Sequence, residues 1–414
     1  MNFIVGDEIG LVKGLYFTVT ITELNKIPKQ EVKRWGQIDR KREVLKMCMN
    51  TGKEIKTLIN GAQFSVARKD GSIQVMSVID GAIIRDIKVY TPTTTTDKKK
   101  SLKVTSNLKG EQFIGVNCHD GIIYACTDTG KFFIIDAKKE TPDIKIVNLK
   151  QDNLWCMKVH PTESNIFATG GEERELCIWD LNKMEKDDTE NENSEDNYYK
   201  MEPIWIAKNV KHDFLNLRVP VWVTCMQWLD DNDTTKIVIG TGHHHIRVYD
   251  TKKARRPILS VEIGEYPIRS LSLNKDRSQV IFSDTLGTVT AVDIKTGKAI
   301  GTFKGFAGSV SDVWCHPEED ILATVALDRH LRVFSTLGKR PLLHKVYLKT
   351  RINCVLGDLT FVDTIVNNEE NQEKEEKQEE DIWDNMKLVK DEKDKASKKR
   401  KLVSKEKSSN KKSK

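Results

Sequence analysis

Short apolar runs recur along most of the chain, separated by tight polar turns. Trp155–Pro161, Ile166–Gly171 and Leu176–Asp180 form one set. Val313–Pro317, Ile321–Asp328 and Leu331–Ser335 form another. Runs of this length, rich in β-branched and aromatic residues and bounded by Asp, Gly and Pro, predict β-strands. Arg68–Gly71 ends in Asp-Gly, a pair that tolerates positive φ and so marks a hairpin.

The strands fall into a repeat. Asp136, Asp180, Asp250, Asp293 and Ser335 each end a third strand, at successive spacings of 44, 70, 43 and 42. A period of about 40–45 with a strand-ending Trp-Asp, or a relative of it, is the pattern of β-propeller blades. Only Trp179-Asp180 is a literal Trp-Asp. The long spacing is one period plus a polar insertion over about 182–202. The expected fold is therefore all-β, a seven-bladed WD40-type β-propeller over 1–360. Its full units start near 55, 113, 154, 222, 267 and 309. The basic stretch Lys26–Lys46 reads as loop plus an outer strand. Phe3, Ile4 and Val5 open the chain without the strand that should precede them, and Ile352–Leu356 is a strand without a blade. Joining them gives one blade shared by both ends, which removes the exposed edges of an open ring.

Beyond 361 the apolar residues nearly vanish. An acidic block over 362–381 is followed by a basic block over 387–414, a composition that predicts disorder. Within it, Ile382, Trp383, Met386 and Val389 in the segment 381–389 have the spacing of a short amphipathic docking helix. Lys398, Lys399, Arg400 and Lys401 form a nuclear-targeting type of basic run that could also hold RNA phosphates.

Candidate chemistry is sparse. The eight cysteines include no CxxC pair, and those in strand patterns read as small buried hydrophobes of a reducing compartment. His243-His244-His245 sit in a turn where adjacent side chains diverge, so no metal site is expected. His160-Pro161 and His316-Pro317 recur at matching positions, which favours a structural role. No phosphate loop, nucleophile elbow or metalloprotease motif stands in a convincing context, so neither catalysis nor a cofactor is expected. No apolar run approaches membrane-spanning length.

One connection is longer than a blade needs. Ile204–Trp222 mixes Lys208, Asn209, Lys211, Asp213 and Arg218 with Trp205, Phe214 and Trp222, the composition of an interface. Arg329 and Arg332 near the last blade's hairpin, with Lys345, Lys349 and Arg351 after it, are further interface candidates on one rim of the disc.

Ala207–Trp222 closely resembles the WD repeat-containing protein 74 family, nucleolar WD-repeat factors with a fungal counterpart. Gly240–Asp250, Gly264–Leu271, Gly305–Val310, Leu327–Phe334 and His344–Val355 match it as well, and Asp381–Trp383 looks like the family's acidic-Leu-Trp element. The resemblance is dense over roughly 200–356 and loose before it. It implies a nucleolar and nuclear scaffold without catalytic activity, bound to precursors of the large ribosomal subunit (pre-60S) and acting in ribosomal RNA processing. It further implies assembly factors as partners, release by an AAA-type ATPase and a link to the RNA helicase of the nuclear exosome. The expected work of such a scaffold is to hold assembly factors and nearby pre-ribosomal RNA in one arrangement, with direct contact to the RNA left open by the sequence. A monomer within a large complex is the expected state. The alternative is a WD-repeat adaptor of another nuclear complex, a ubiquitin ligase or a chromatin assembly.

Overall fold

In the second strands of the repeats, five or six consecutive residues are buried on both faces. Ile321–Ala326 is buried at every position, and Ile166–Gly171, Lys236–Thr241 and Gln279–Asp284 at five of six. Outer strands are far more exposed, and Leu259–Glu262 alternates between half-buried and exposed positions. This is the burial of sheets stacked face to face around an axis, where only the rim of each sheet meets water. It explains why the central strands read as near-continuous apolar runs.

The computed structural model describes residues 2–19, 28–51, 62–91, 111–139, 141–186, 197–212 and 215–357. Among them, five four-stranded sheets and one ten-stranded sheet make up seven four-stranded antiparallel units, two of which are joined in parallel where Asn50 lies opposite Cys118 and Thr51 opposite His119. From innermost to outermost strand, blade 1 is Ile352–Gly357, Asn2–Asp7, Val12–Val19 and Pro28–Trp35. Blade 2 is Val44–Thr51, Gln63–Arg68, Ser72–Ser77 and Ile83–Lys88. Blades 3 to 7 open with innermost strands Phe113–His119, Leu154–Val159, Val223–Trp228, Ile268–Leu273 and Val310–Cys315. Each innermost strand packs beside the next, and the ring closes from Val310–Cys315 through Ile352–Gly357 to Val44–Thr51.

Closure rests on a two-ended blade. Phe3 lies opposite Gly357, Ile4 opposite Leu356 and Val5 opposite Val355. Phe3 and Val5 then pack in one cluster with Val355, Ile352, Leu331 and Val333, so the first residues of the chain are core to the last blade.

The repeated strand-ending residue has a repeated task. The carboxylates of Asp136, Asp180, Asp250 and Asp293 accept the backbone N–H two residues on, at 3.1, 3.0, 3.1 and 2.7 Å. Ser335 Oγ accepts from Leu337 N at 3.2 Å in the same way. Each is a side-chain turn that ends the third strand; after Asp136, Asp250, Asp293 and Ser335 the chain enters the outer strand, whereas after Asp180 the polar insertion intervenes. Trp179, fully buried, donates its indole N–H to Thr169 Oγ1 at 2.9 Å and stacks on Phe167, which stacks on Phe132 of blade 3. In the predicted hairpin, Gly71 has φ 81, and a Cβ there would lie 2.2 Å from the Tyr90 carbonyl oxygen.

Two features differ from expectation. The innermost strand of blade 2 is Val44–Thr51, upstream of the unit start near 55, and it emerges directly from the basic stretch. The polar insertion adds structure as well. Asn197–Lys200 pairs in parallel with the outer strand Asp143–Asn148 of blade 3, and Glu185–Lys186 covers its far side. Met184, Tyr199 and Met201 of the insertion pack on the cluster containing Phe132, Phe167 and Trp179, clamping blade 4 to blade 3. The Thr- and Lys-rich loop near 91–103 lies, from 92 on, outside the described residues, as does the chain from 358.

Candidate interaction face

Strand polarity decides which residues share a face. In every blade the innermost strand starts, the second and third strands meet, and the outer strand leaves at the same end of the ring. The connection 207–222, Arg329, Lys349 and Arg351 therefore lie on one face, in the sectors of blades 4–5 and 7–1.

The 207–222 connection is pinned at both ends. Ala207 N donates to Leu176 O at 2.8 Å, Lys208 N to Arg255 O at 2.8 Å and Glu173 N to Val221 O at 2.8 Å. Asn209 is its latch. Its Nδ2 donates to Val219 O at 2.6 Å, while its Oδ1 accepts from Val210 N at 2.8 Å and from a guanidinium nitrogen of Arg247 at 3.4 Å. Trp222 packs edge-on against Trp155 at 5.2 Å and sits so close over Gly242 that a Cβ there would lie 2.0 Å from the ring. Asn209 and Trp222 therefore hold the connection in place rather than project from it.

What projects is cationic and apolar. Lys208, Lys211 and Arg218 are exposed. Arg218 reaches Glu173 at 3.1 Å, with the two side chains 58% and 56% exposed, a pair worth about 0–1 kcal/mol in water. Leu215 is 63% exposed, Leu217 is also exposed, and Trp155 stands at 39%. Asp213 lies outside the described residues. Beneath this layer, burial raises the Glu175 carboxyl above the ordinary carboxylate value, against the pull of Arg247 and Arg218. Burial, the His244 ring and Arg247 lower the His243 imidazole.

In the second sector, Leu348 N donates to Arg329 O at 2.8 Å, which brings Arg329 beside Lys349. Arg329, Lys349 and Arg351 are exposed. Arg332 does not join them. It is 3% exposed, its guanidinium donates to both carboxylate oxygens of Asp328, one at 3.0 Å, and it lies over the Phe306 ring. This corrects the interface assignment of Arg332, whose side chain is spent inside the blade. Lys345 is exposed but sits mid-strand on the outer edge of blade 7, opposite Arg332 in register, away from the shared face. Ile382, Trp383, Met386 and the basic run Lys398–Lys401 lie outside the described residues.

Comparison with known proteins places this geometry. The family model "WD domain, G-beta repeat" matches residues 145–180 and 297–335. The human protein named WD repeat-containing protein 74 is 32% identical over 85% of this chain and 80% of its own length. The chain belongs to the WD repeat-containing protein 74 family. The Schizosaccharomyces pombe protein named "Ribosome biogenesis protein nsa1" is 26% identical over 97% of this chain and 99% of its own length. Among solved structures, the β-propeller domain of Cps50 (Swd1) from Myceliophteria thermophila superposes with a TM-score of 0.52 at 12% identity, over 73% of this chain and 86% of that one. That last likeness is one of fold alone.

On this member of the family, sequence reasoning missed the exposed apolar residues Trp155, Tyr266, Leu286 and Leu327 on the same face. Their signal was positional: Trp155 lies at the start of an innermost strand, Tyr266 in the connection leading into one, and Leu286 and Leu327 in hairpin turns between second and third strands, where the repeat requires no apolar residue.

Proposed function

We propose that this chain is a non-catalytic scaffold in assembly of the large ribosomal subunit and in the accompanying processing of ribosomal RNA, working in the nucleolus. The observation that carries the reading is the full-length match to a protein named for ribosome biogenesis, together with membership of the family. The face described above suits the role. It offers Lys208, Lys211 and Arg218 beside exposed Leu215, Leu217 and Trp155, a pairing of cations with aromatic and aliphatic anchors that fits assembly factors and nearby RNA phosphates. Arg329, Lys349 and Arg351 form a second contact sector. Partners implied by the family resemblance are large-subunit assembly factors, an AAA-type ATPase that releases the protein and the exosome-linked RNA helicase. Lys398–Lys401 supplies nuclear targeting, and Ile382, Trp383 and Met386 a docking element.

The test is to tag the full chain and identify the RNA and proteins that co-purify. Large-subunit precursors with their assembly factors are expected. Ubiquitin-ligase subunits or histones, without ribosomal precursors, would overturn the reading.

A further inference from the structure

The seven innermost strands surround a cavity of about 420 Å³. Its lining follows from the third residue of each of these strands. Three blades supply thiols, Cys156, Cys225 and Cys354, one supplies Lys46 and one Asp312. Lys158, two residues deeper on blade 4, and Arg269, at the second position of blade 6, add two cations. Lys275 and Arg277 also line the cavity, and Arg277 is paired with Asp231.

The charges do not cancel. Asp312 is occupied by its neighbours. Its Oδ1 accepts from Ser270 Oγ at 2.7 Å and Val313 N at 3.0 Å, and its Oδ2 from Val355 N at 3.1 Å. It thereby ties blades 6, 7 and 1 together. Among the described residues, Lys46, Lys158 and Arg269 form no side-chain hydrogen bond or ion pair. Burial pushes the Lys158 ammonium below its ordinary value. Cys48 and Asp312 act against the fall and Lys46 adds to it. Partial desolvation lowers the Arg269 guanidinium, although the residue is exposed, and the charge of Arg351 lowers it further. Lys46 and Arg269 are exposed and Lys158 is half-buried. Cations that repel one another across such a channel are stabilised by an anion between them.

We propose that this channel binds a compact anion carrying several phosphate groups, with Lys46, Lys158 and Arg269 as its ligands. A cavity of this size is in the range of small-molecule sites. The mixed set of ammonium point charges and a planar guanidinium fork suits phosphate oxygens. The thiols take no part in binding, because burial holds all three in the neutral form. The proposal stands independently of the ribosomal role.

The experiment is calorimetric titration of the full chain at physiological salt with two probes, inositol hexakisphosphate and tripolyphosphate. A saturable single-site heat is expected in the wild type. Lys46→Gln with Lys158→Gln should weaken it about tenfold or more. Should that double variant fail to fold, as read by its far-ultraviolet spectrum and melt, Arg269→Gln at an exposed position provides the same comparison. A full-length chain with Lys398, Lys399, Arg400 and Lys401 all changed to Gln separates the channel from the basic run and should bind unchanged. A preference for the first probe assigns a phosphorylated polyol, and for the second a short polyphosphate. Absence of saturable heat in the wild type, equal affinity in the channel variants, or loss of binding in the basic-run variant would each overturn the proposal.

Discussion

The ammonium of Lys13 lies 3.1 Å from the carboxylate of Asp7, with both side chains almost completely removed from solvent. Lys13 also donates to Leu348 O at 2.9 Å and to Thr350 Oγ1, and Thr350 Oγ1 donates to Asp7 Oδ2 at 2.9 Å. Two residues from the start of the chain thus hold the segment that leads into its last strand. Asp7 further accepts from Leu11 N at 2.7 Å and Ile9 N at 3.1 Å, which shapes the turn between them. The polar network and the Phe3–Gly357 to Asp7–Ile352 ladder close the ring together.

Closure therefore depends on this pair. Lys13→Met leaves a buried carboxylate without its cation, and breaking such a pair costs about 3–5 kcal/mol. Asp7→Asn with Lys13→Met should cost less than the sum of the single changes, since no uncompensated charge remains. Denaturant unfolding of the four proteins measures the coupling. Truncation before Arg351 should give insoluble or molten protein, because it removes Ile352–Gly357 altogether. A cooperatively melting fragment ending at Lys349 would sink the shared-blade account.

Arg332 and Asp328 form the second polar tie, inside blade 7. Burial alone would raise the Asp328 carboxyl. The bidentate bonds and charge of Arg332 outweigh it and hold the group below its ordinary 3.8. A carboxylate depressed in the folded state binds fewer protons there than when unfolded. Its stabilisation is complete above about pH 4 and is lost as pH falls through the lower folded value. Arg332→Met should cost about 3–5 kcal/mol at neutral pH. It should also flatten the acid limb of the melting profile below pH 4, an effect Arg329→Met should not have. Equal melting temperatures for the two variants would return Arg332 to the surface.

That contrast shows where the chain was legible and where it was not. Strand-ending Asp180 and its relatives announced the repeat because their turn chemistry is local: acceptor and donor are two residues apart. Closure was legible because each end held a strand with no blade. Arg332 was misread because charge composition cannot distinguish a cation facing Asp328 and Phe306 from one facing water; that difference lies in tertiary packing. The innermost strand Val44–Thr51 was obscured by Lys46, which lines the channel and so breaks the apolar run that strands elsewhere display. Asn197–Lys200 was hidden because a four-residue strand added at an outer edge carries little apolar signal of its own.

His160 and His316 make a pH prediction. The Nδ1 of His316 accepts from Glu318 N at 3.1 Å and Glu319 N at 2.9 Å, and the Nδ1 of His160 accepts from Glu163 N at 3.1 Å. An acceptor nitrogen must be unprotonated, so both rings are held neutral. Burial is the main cause that lowers both below the ordinary 6.5. The unfolded chain then binds protons first. Stability should be full above about pH 6.5 and lost as pH falls from there through the depressed folded values. The melting temperature of the wild type should fall between pH 7 and 5.5. His160→Asn with His316→Asn, whose carbonyl oxygens can accept the same N–H groups, should lose much less. A double variant with the wild-type slope would assign the titration elsewhere.

Arg218 and Lys211 carry the functional prediction. Both are exposed on a connection that is fixed independently of them, by Asn209 and by the backbone bonds at Ala207, Lys208 and Val221. The Arg218–Glu173 pair is open to water and contributes at most about 1 kcal/mol to folding. Charge reversal at both positions should therefore shift the melting temperature by no more than a few degrees. A cation desolvated against a partner is different, and its loss costs roughly 2 kcal/mol or more in binding. Arg218→Glu with Lys211→Glu should thus leave a folded protein that no longer co-purifies with large-subunit precursors. Asn209→Ala should behave in the opposite order. It unlatches the connection, lowers the melting temperature, and weakens association only as far as the loop loses its shape. Normal precursor association in the double reversal would remove this sector from the interface, and a large loss of stability in Arg218→Ala would make Arg218 a structural tie.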